Sequence, residues 1–131
     1  DILRGSELLR KYDIAIITYS MFGMPFETPG ILQKTISLNR EIQPDIAAPF
    51  IYQPLPQTKL GKIAFDHGFV QPPPEDHWDY LAPSLDSQDL PASYVQEQVE
   101  LFRQEFNSPA NVLAVTNKMR MAAGKDALSA L

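Results

Sequence analysis

Two uncharged apolar stretches, Ile14 to Phe22 and Ile46 to Gln53, flank a segment with clear helix signals. This arrangement constrains the fold more than any other feature. The first stretch is nearly all apolar, rich in β-branched and aromatic types, and does not alternate. It therefore reads as a strand buried on both faces, as in a parallel sheet. Gly23-Met24-Pro25 ends it. Thr28 is placed to cap the helix that follows, and Pro29 suits its first position, where a missing N–H costs nothing. Ile31, Leu32, Ile36, Leu38 and Ile42 give that helix a broad apolar side, and Gln43-Pro44-Asp45 breaks it. The second stretch reads as another strand. Pro49 cannot donate to a central ladder, so it implies a bulge, an edge or an irregular start. Two strands joined by a helix form a βαβ unit, right-handed in nearly all known cases.

The flanking segments are helical or irregular. Leu3, Leu8 and Leu9 predict a short amphipathic helix from Ile2 to Lys11, weakened by Gly5. Leu60, Ile63, Ala64 and His67 share one helical face, and Gly68 stops that helix. From Gln71 to Leu90 the chain reads as an irregular loop with Pro72-Pro73-Pro74 and Pro83, pinned by Trp78, Tyr80 and Leu81. Two C-terminal helices are expected. Val95, Val99, Phe102 and Phe106 repeat at helical spacing in the first. The second starts at Ser108-Pro109, turns Val112, Val115, Met119 and Ala122 inward, and ends at Gly124.

Composition narrows the function classes. The chain has 131 residues, a formal net charge of −5 and no cysteine. It therefore has no disulfide, no thiolate metal site, no iron–sulfur ligand of its own and no cysteine nucleophile. The acidic balance gives no electrostatic footprint for nucleic acid or anionic membrane. No apolar run is long enough to span a bilayer, and no signal peptide precedes the first helix, so a cytoplasmic location is expected. The start inside a helix, without an initiator Met, points to an excised segment of a longer protein. Two strands make no stable sheet alone, so neighbouring strands lie outside the segment or another copy supplies them.

Chemistry in α/β barrels and open sheets gathers at the carboxyl ends of parallel strands. Two loops fall there, Gly23 to Thr28 and Gln53 to Thr58. Both lead into helix N-termini, whose free N–H groups suit a carboxylate or phosphate.

The first of these loops, Gly23-Met24-Pro25-Phe26-Glu27-Thr28, resembles the Gly-Leu-Pro-Gly-Glu-Thr signature of radical S-adenosylmethionine (radical SAM) enzymes. The nearest group is the one that often carries an upstream cobalamin-binding domain. That family continues with Pro-Asp, a strand, and Pro-x-Pro-Gly-Thr; this chain has Pro44-Asp45, then Pro54-Leu55-Pro56-Gln57-Thr58. Leu60, Ala64 and Gly68 match the helix after it. The likeness covers Ile2 to about Val70. Each motif alone is weak, whereas the ordered set is fairly specific.

The resemblance implies an α/β fold: a βαβ segment of a partial (β/α)6 TIM-like barrel, followed by a loop and C-terminal helices. Residues 1–70 would be the last third of the barrel, and residues 71–131 an irregular loop and helical extension. It implies an oxidoreductase that cleaves S-adenosylmethionine at a 4Fe–4S cluster held on an upstream Cys-x3-Cys-x2-Cys loop. Without that loop the segment would be inactive alone; the cobalamin motif Asp-x-His-x-x-Gly is also missing, since Asp66-His67-Gly68 has the wrong spacing. By the same resemblance, Ser20, Phe22, Gly23, Met24 and Pro25, with Ile51, Tyr52, Gln53 and Pro54, would line the S-adenosylmethionine and substrate space. The partner implied is the rest of the barrel, with the substrate left open. Phe26 and Gln57 depart from the signature, standing where the family has Gly; Gln57 is expected at negative φ.

Plainer roles stand beside these. Glu27 is expected to hold its loop by accepting backbone N–H groups, Thr28 and Pro29 to cap, and His67 to favour a helix C-terminus. Met21 and Met24 read as core or pocket wall, and the polar face from Gln96 to Glu105 as solvated. Asp76, His77 and Asp79 match no metal spacing. The alternative to the barrel fragment is a non-catalytic α/β interaction module, folded alone or as a homodimer through exposed strand edges. A different α/β barrel enzyme has no phosphate-type glycine loop to support it.

Overall fold

The computed structural model describes residues 1–69, 84–117 and 120. The fold is mixed α/β. Helix α1 (Ile2–Lys11) precedes strand β1 (Ile17–Phe22), helix α2 (Pro29–Ile42), strand β2 (Ile46–Ile51), helix α3 (Lys59–Asp66) and helix α4 (Ala92–Phe106). A further helix, α5, covers 109–117. The strands form a two-stranded parallel sheet whose unbroken register pairs Ile17 with Ile46 and Phe22 with Ile51. Among the described residues no helix is long and apolar enough to cross a membrane.

Local chemistry sets the helix limits. Thr28 Oγ1 accepts from Ile31 N at 3.4 Å with Pro29 at the first position, and Gln43 closes α2 in the left-handed conformation at φ 50°. Thr58 Oγ1 accepts from Gly61 N at 3.0 Å to start α3, and Gly68 follows its end at φ 67°. Ser108 Oγ accepts from Asn111 N at 3.2 Å to start α5. These are ordinary N-caps, each satisfying one orphan donor.

Both strands are shorter than the apolar stretches that announce them. Ile14 to Ile16 lie outside the ladder because Asp45 intervenes: its carboxylate accepts from Ile16 N at 2.7 Å while its own N–H donates to Ile16 O at 2.9 Å. After Ile51, Pro54 and the Leu55 turn carry the chain away.

The expectation of strands buried on both faces is overturned. Helices α2 and α4 both pack on one face. There Phe22, Ala47 and Ile51 meet Leu32 and Ile36 of α2 and Val95, Val99, Phe102 and Phe106 of α4. Phe22 and Phe102 meet edge to face, with ring centroids 5.3 Å apart. The opposite face carries Ile17, Tyr19, Met21 and Phe50, all exposed, with Tyr19 stacked on Phe50 at 6.0 Å. Helix α4 belongs to the segment expected as an extension, yet it shares the core of β1, α2 and β2. A bidentate pair from Arg40 to Glu105, at 2.6 and 2.9 Å, ties α2 to α4 on the surface.

Pro49 sits on an edge, with no bulge. Ile46 N donates to Ile16 O at 3.2 Å and Tyr52 N to Phe22 O at 2.9 Å, so alternate β2 residues face β1 and Pro49 points its nitrogen outward. On the same outer edge, Asn107 Oδ1 accepts from Ala47 N at 3.0 Å and Asn107 Nδ2 donates to Ala47 O at 2.6 Å. In α5 the inward residue is Val115; Val112 is exposed, a correction to the expected stripe. Met119, Ala122 and Gly124, and the expected anchors Trp78, Tyr80 and Leu81, lie outside the described residues, as do Asp76, His77 and Asp79.

Candidate functional site

The carboxyl ends of β1 and β2 divide into two unequal spaces. Beyond β2, Met21, Phe50, Ile51, Tyr52, Gln53, Leu55, Thr58 and Leu60 surround an open basin of about 700 Å³. Beyond β1, Gly23, Met24, Pro25 and Phe26 border a crevice of about 10 Å³ against Phe69, Leu85, Leu90 and Val95. The crevice holds about one water, whereas the basin lies within the roughly 300–1,000 Å³ usual for small-molecule sites.

The resemblance-derived positions are distributed unevenly. Ile51, Tyr52 and Gln53 reach the basin. Pro54 is fully buried beside it. Ser20 and Phe22 lie on the helix-covered face. Ser20 Oγ accepts from Asn39 Nδ2 at 2.9 Å, Asn39 Nδ2 also donates to Thr35 O, and Thr18 Oγ1 donates to Asn39 Oδ1 at 2.7 Å. That network uses the Asn39 amide on both sides and gives Ser20 a packing role. Gly23, Met24 and Pro25 form the crevice wall.

Sequence reasoning placed Leu55 and Thr58 in a strand-end loop without naming them as site residues, passed over Phe50 and Leu60 as site residues, and left Met21 between core and wall. Strand parity was the signal. Residues alternate across a sheet, so Met21 must oppose Ser20 and Phe22 once Phe22 is assigned to the core.

The loop after β1 is built around a buried carboxylate. Glu27 Oε2 accepts from Gly23 N at 2.6 Å and from Met24 N at 3.2 Å. Burial pushes the Glu27 carboxyl above the usual carboxylate range, opposed by those two N–H bonds. Gly23 holds φ 77° with Val95 3.4 Å from where a Cβ would sit. Phe26 adopts φ 62°, the left-handed conformation that glycine favours, at the position where the signature has Gly. Its exposed ring packs edge-on with His67 (5.0 Å) and Phe69 (5.3 Å). Gln57 keeps a negative φ, as expected; the non-glycine residues with positive φ among those described are Asp13, Phe26 and Gln43.

The basin is apolar with two polar groups at its wall. The buried Tyr52 hydroxyl has no hydrogen-bond partner within ordinary limits among the described residues. Burial raises the Tyr52 phenol above its ordinary value, opposed by the neighbouring Thr58 hydroxyl. Thr58 Oγ1 itself donates to Leu55 O at 2.8 Å. Gln53 accepts a hydrogen bond from Ser84 Oγ. His67 Nδ1 lies 2.9 Å from Ile63 O at the end of α3, consistent with a helix-terminal role.

These residues do not fit an iron–sulfur cluster. The chain offers no thiolate, and among the described residues no three His, Cys, Asp or Glu converge. The basin supplies volume and an apolar wall, with the buried Tyr52 hydroxyl and the neighbouring Thr58 hydroxyl as its polar groups. Compared with known proteins, the chain matches no family model, no curated protein sequence and no solved structure.

Proposed function

We propose that this chain forms part of the wall of a radical SAM oxidoreductase barrel. The bare face of β1 and β2 would look into the S-adenosylmethionine and substrate cavity. The observation that carries this reading is the asymmetry of the sheet. Two parallel strands have one face covered by helices and the other left apolar and open, with Ile17, Tyr19, Met21 and Phe50 exposed. A barrel buries such a face in its lumen. The motif order around it supports the family: Gly23 to Thr28 after β1, Asp45 locking the ladder, and Pro54 to Thr58 after β2.

In this reading the basin takes the adenosyl or substrate portion, with Met21, Phe50 and Leu55 as apolar wall and Tyr52 and Gln53 as polar contacts. Cluster binding belongs to another segment, and the chain is inactive without it. A cobalamin domain upstream is compatible with the resemblance and uses no residue of this chain.

The coding sequence preceding Asp1 tests the reading. A Cys-x3-Cys-x2-Cys motif in the same frame, with bound iron in the complete product, is the expected result. A complete reading frame without that motif contradicts it and leaves the non-catalytic module.

A further inference from the structure

We propose that the basin beyond β2 seats an uncharged, apolar portion of the substrate, while S-adenosylmethionine lies elsewhere in the cavity. The inference rests on the barrel reading and names the substrate class of that same site.

The strand-end donors that would suit an anion are taken up within the chain. After β1, the Glu27 carboxylate accepts from Gly23 N at 2.6 Å and from Met24 N at 3.2 Å, so a carboxylate is already seated in that loop. Pro29 has no N–H, and Thr28 Oγ1 accepts from Ile31 N. After β2, Thr58 Oγ1 accepts from Gly61 N. Leu55 O lies against the first turn of α3, 1.9 Å from where a Gly61 Cβ would sit. A phosphate or carboxylate arriving at either loop meets the chain's own oxygens, which repel it.

The wall of the basin adds no charge to draw an anion or a cation in. Opposed residues of the ladder share a face, so Ile17, Tyr19 and Met21 lie beside Ile46, Ala48 and Phe50 on the open side. Among the described residues no acidic or basic side chain borders the basin. Tyr52 and Gln53 are neutral contacts, and burial pushes the Tyr52 phenol up, which keeps it protonated. A charged group entering here would give up its hydration and gain no partner.

S-adenosylmethionine fits this wall poorly. Its ammonium, carboxylate and sulfonium are charged, and its adenosine needs several hydrogen bonds on leaving water. Thr58 Oγ1 is engaged in both directions, by Gly61 N and by Leu55 O, and Gln53 accepts from Ser84 Oγ. A largely apolar group with few polar atoms leaves little unpaired, and about 700 Å³ is room enough for it. Met21 also borders the groove of about 360 Å³ along β1, so it stands between the two ligands, whereas Phe50 faces the basin alone.

N-phenyl-1-naphthylamine, a neutral apolar probe that brightens on leaving water, tests the proposal on the 131-residue chain. The expected result is saturable binding that inorganic phosphate and adenosine do not displace. Phe50→Glu puts a charge on the wall and should raise the probe Kd about tenfold or more, with the far-ultraviolet circular dichroism unchanged. Leu113→Glu, at an exposed position of α5, should leave the Kd unchanged. Absence of saturable binding, displacement by phosphate or adenosine, or equal effects of the two substitutions overturns the proposal. The probe needs no cluster, so the two failures are distinguishable. A complete protein that binds no iron contradicts the barrel reading, whereas an active protein whose chain refuses the probe contradicts the substrate class alone.

Discussion

Asn107, just past the end of α4, holds the backbone of Ala47 in β2 with two hydrogen bonds, at 3.0 and 2.6 Å. Its side-chain amide takes the place of a peptide group from a neighbouring strand. Ala47 is fully buried and Asn107 is half-buried. Asn107→Ala leaves the Ala47 N–H and C=O unpaired and should destabilise the fold by about 1–3 kcal/mol. Urea unfolding of the two proteins measures the difference; a loss below about 0.5 kcal/mol would show that water replaces the amide freely.

Gly61, in the first turn of α3, lies directly against the backbone of Leu55, a residue of the basin wall. A Cβ on Gly61 would lie 1.9 Å from Leu55 O and 2.9 Å from Thr58 Oγ1, distances no side chain tolerates. The nearest obstacle is backbone, so the first turn of α3 must move away from the loop. Gly61→Ala should therefore destabilise by about 1–3 kcal/mol, despite alanine being the better helix former. Thermal unfolding reads this directly. An unchanged or raised Tm would mean that the turn shifts at no cost.

Phe26 carries backbone strain together with aromatic contacts, and two substitutions separate them. Phe26→Ala removes the contacts with His67 and Phe69 and keeps a Cβ at φ 62°. Phe26→Gly removes the same contacts and releases the strain. The glycine variant should be the more stable of the two by about 1 kcal/mol, measured by chemical denaturation. The reverse order would place no strain at this residue.

Glu27 gives the fold a pH dependence of definite sign. Its folded carboxyl titrates above its ordinary value, chiefly because burial disfavours the charged form. The folded state therefore binds this proton more tightly than the unfolded chain does. The stability it contributes is fully present below the unfolded value and is lost as pH rises through the folded one. Relative to Glu27→Gln, the wild type should lose stability as pH rises from about 4 towards neutrality. A parallel pair of stability curves would show that the Gly23 and Met24 N–H bonds offset the desolvation.

What could be read from the sequence was local. Thr28 and Ser108 announce helix starts because a cap acts within three residues of its own position; Thr58 caps α3 in the same way, though in the sequence it reads only as the end of a loop. Glu27 carries its loop by the same short-range logic, whereas Asp45 reaches Ile16, 29 residues away, and its lock on the ladder leaves no local signal. Strand facing was hidden because Ile17, Tyr19 and Met21 are as apolar as Phe22, so the residues themselves do not separate core from open face. Ser20 looked like a lumen residue; only its contact with Asn39 on α2 makes it structural. The blunting of β2 by Asn107 spans sixty residues and leaves no local signal. In the basin, Ile51, Tyr52 and Gln53 follow from the end of a strand. Leu55 and Leu60 required the turn that folds α3 back over it.

The most direct measurement is 5′-deoxyadenosine formation by the complete protein containing this chain, reconstituted anaerobically with iron and sulfide and supplied with S-adenosylmethionine and a reductant. The expected result is cleavage of S-adenosylmethionine by the wild type and by Ser20→Ala, with a sharp loss in Met21→Glu, which places a charge on the apolar basin wall. A complete protein that binds no cluster and forms no 5′-deoxyadenosine contradicts the barrel-wall account.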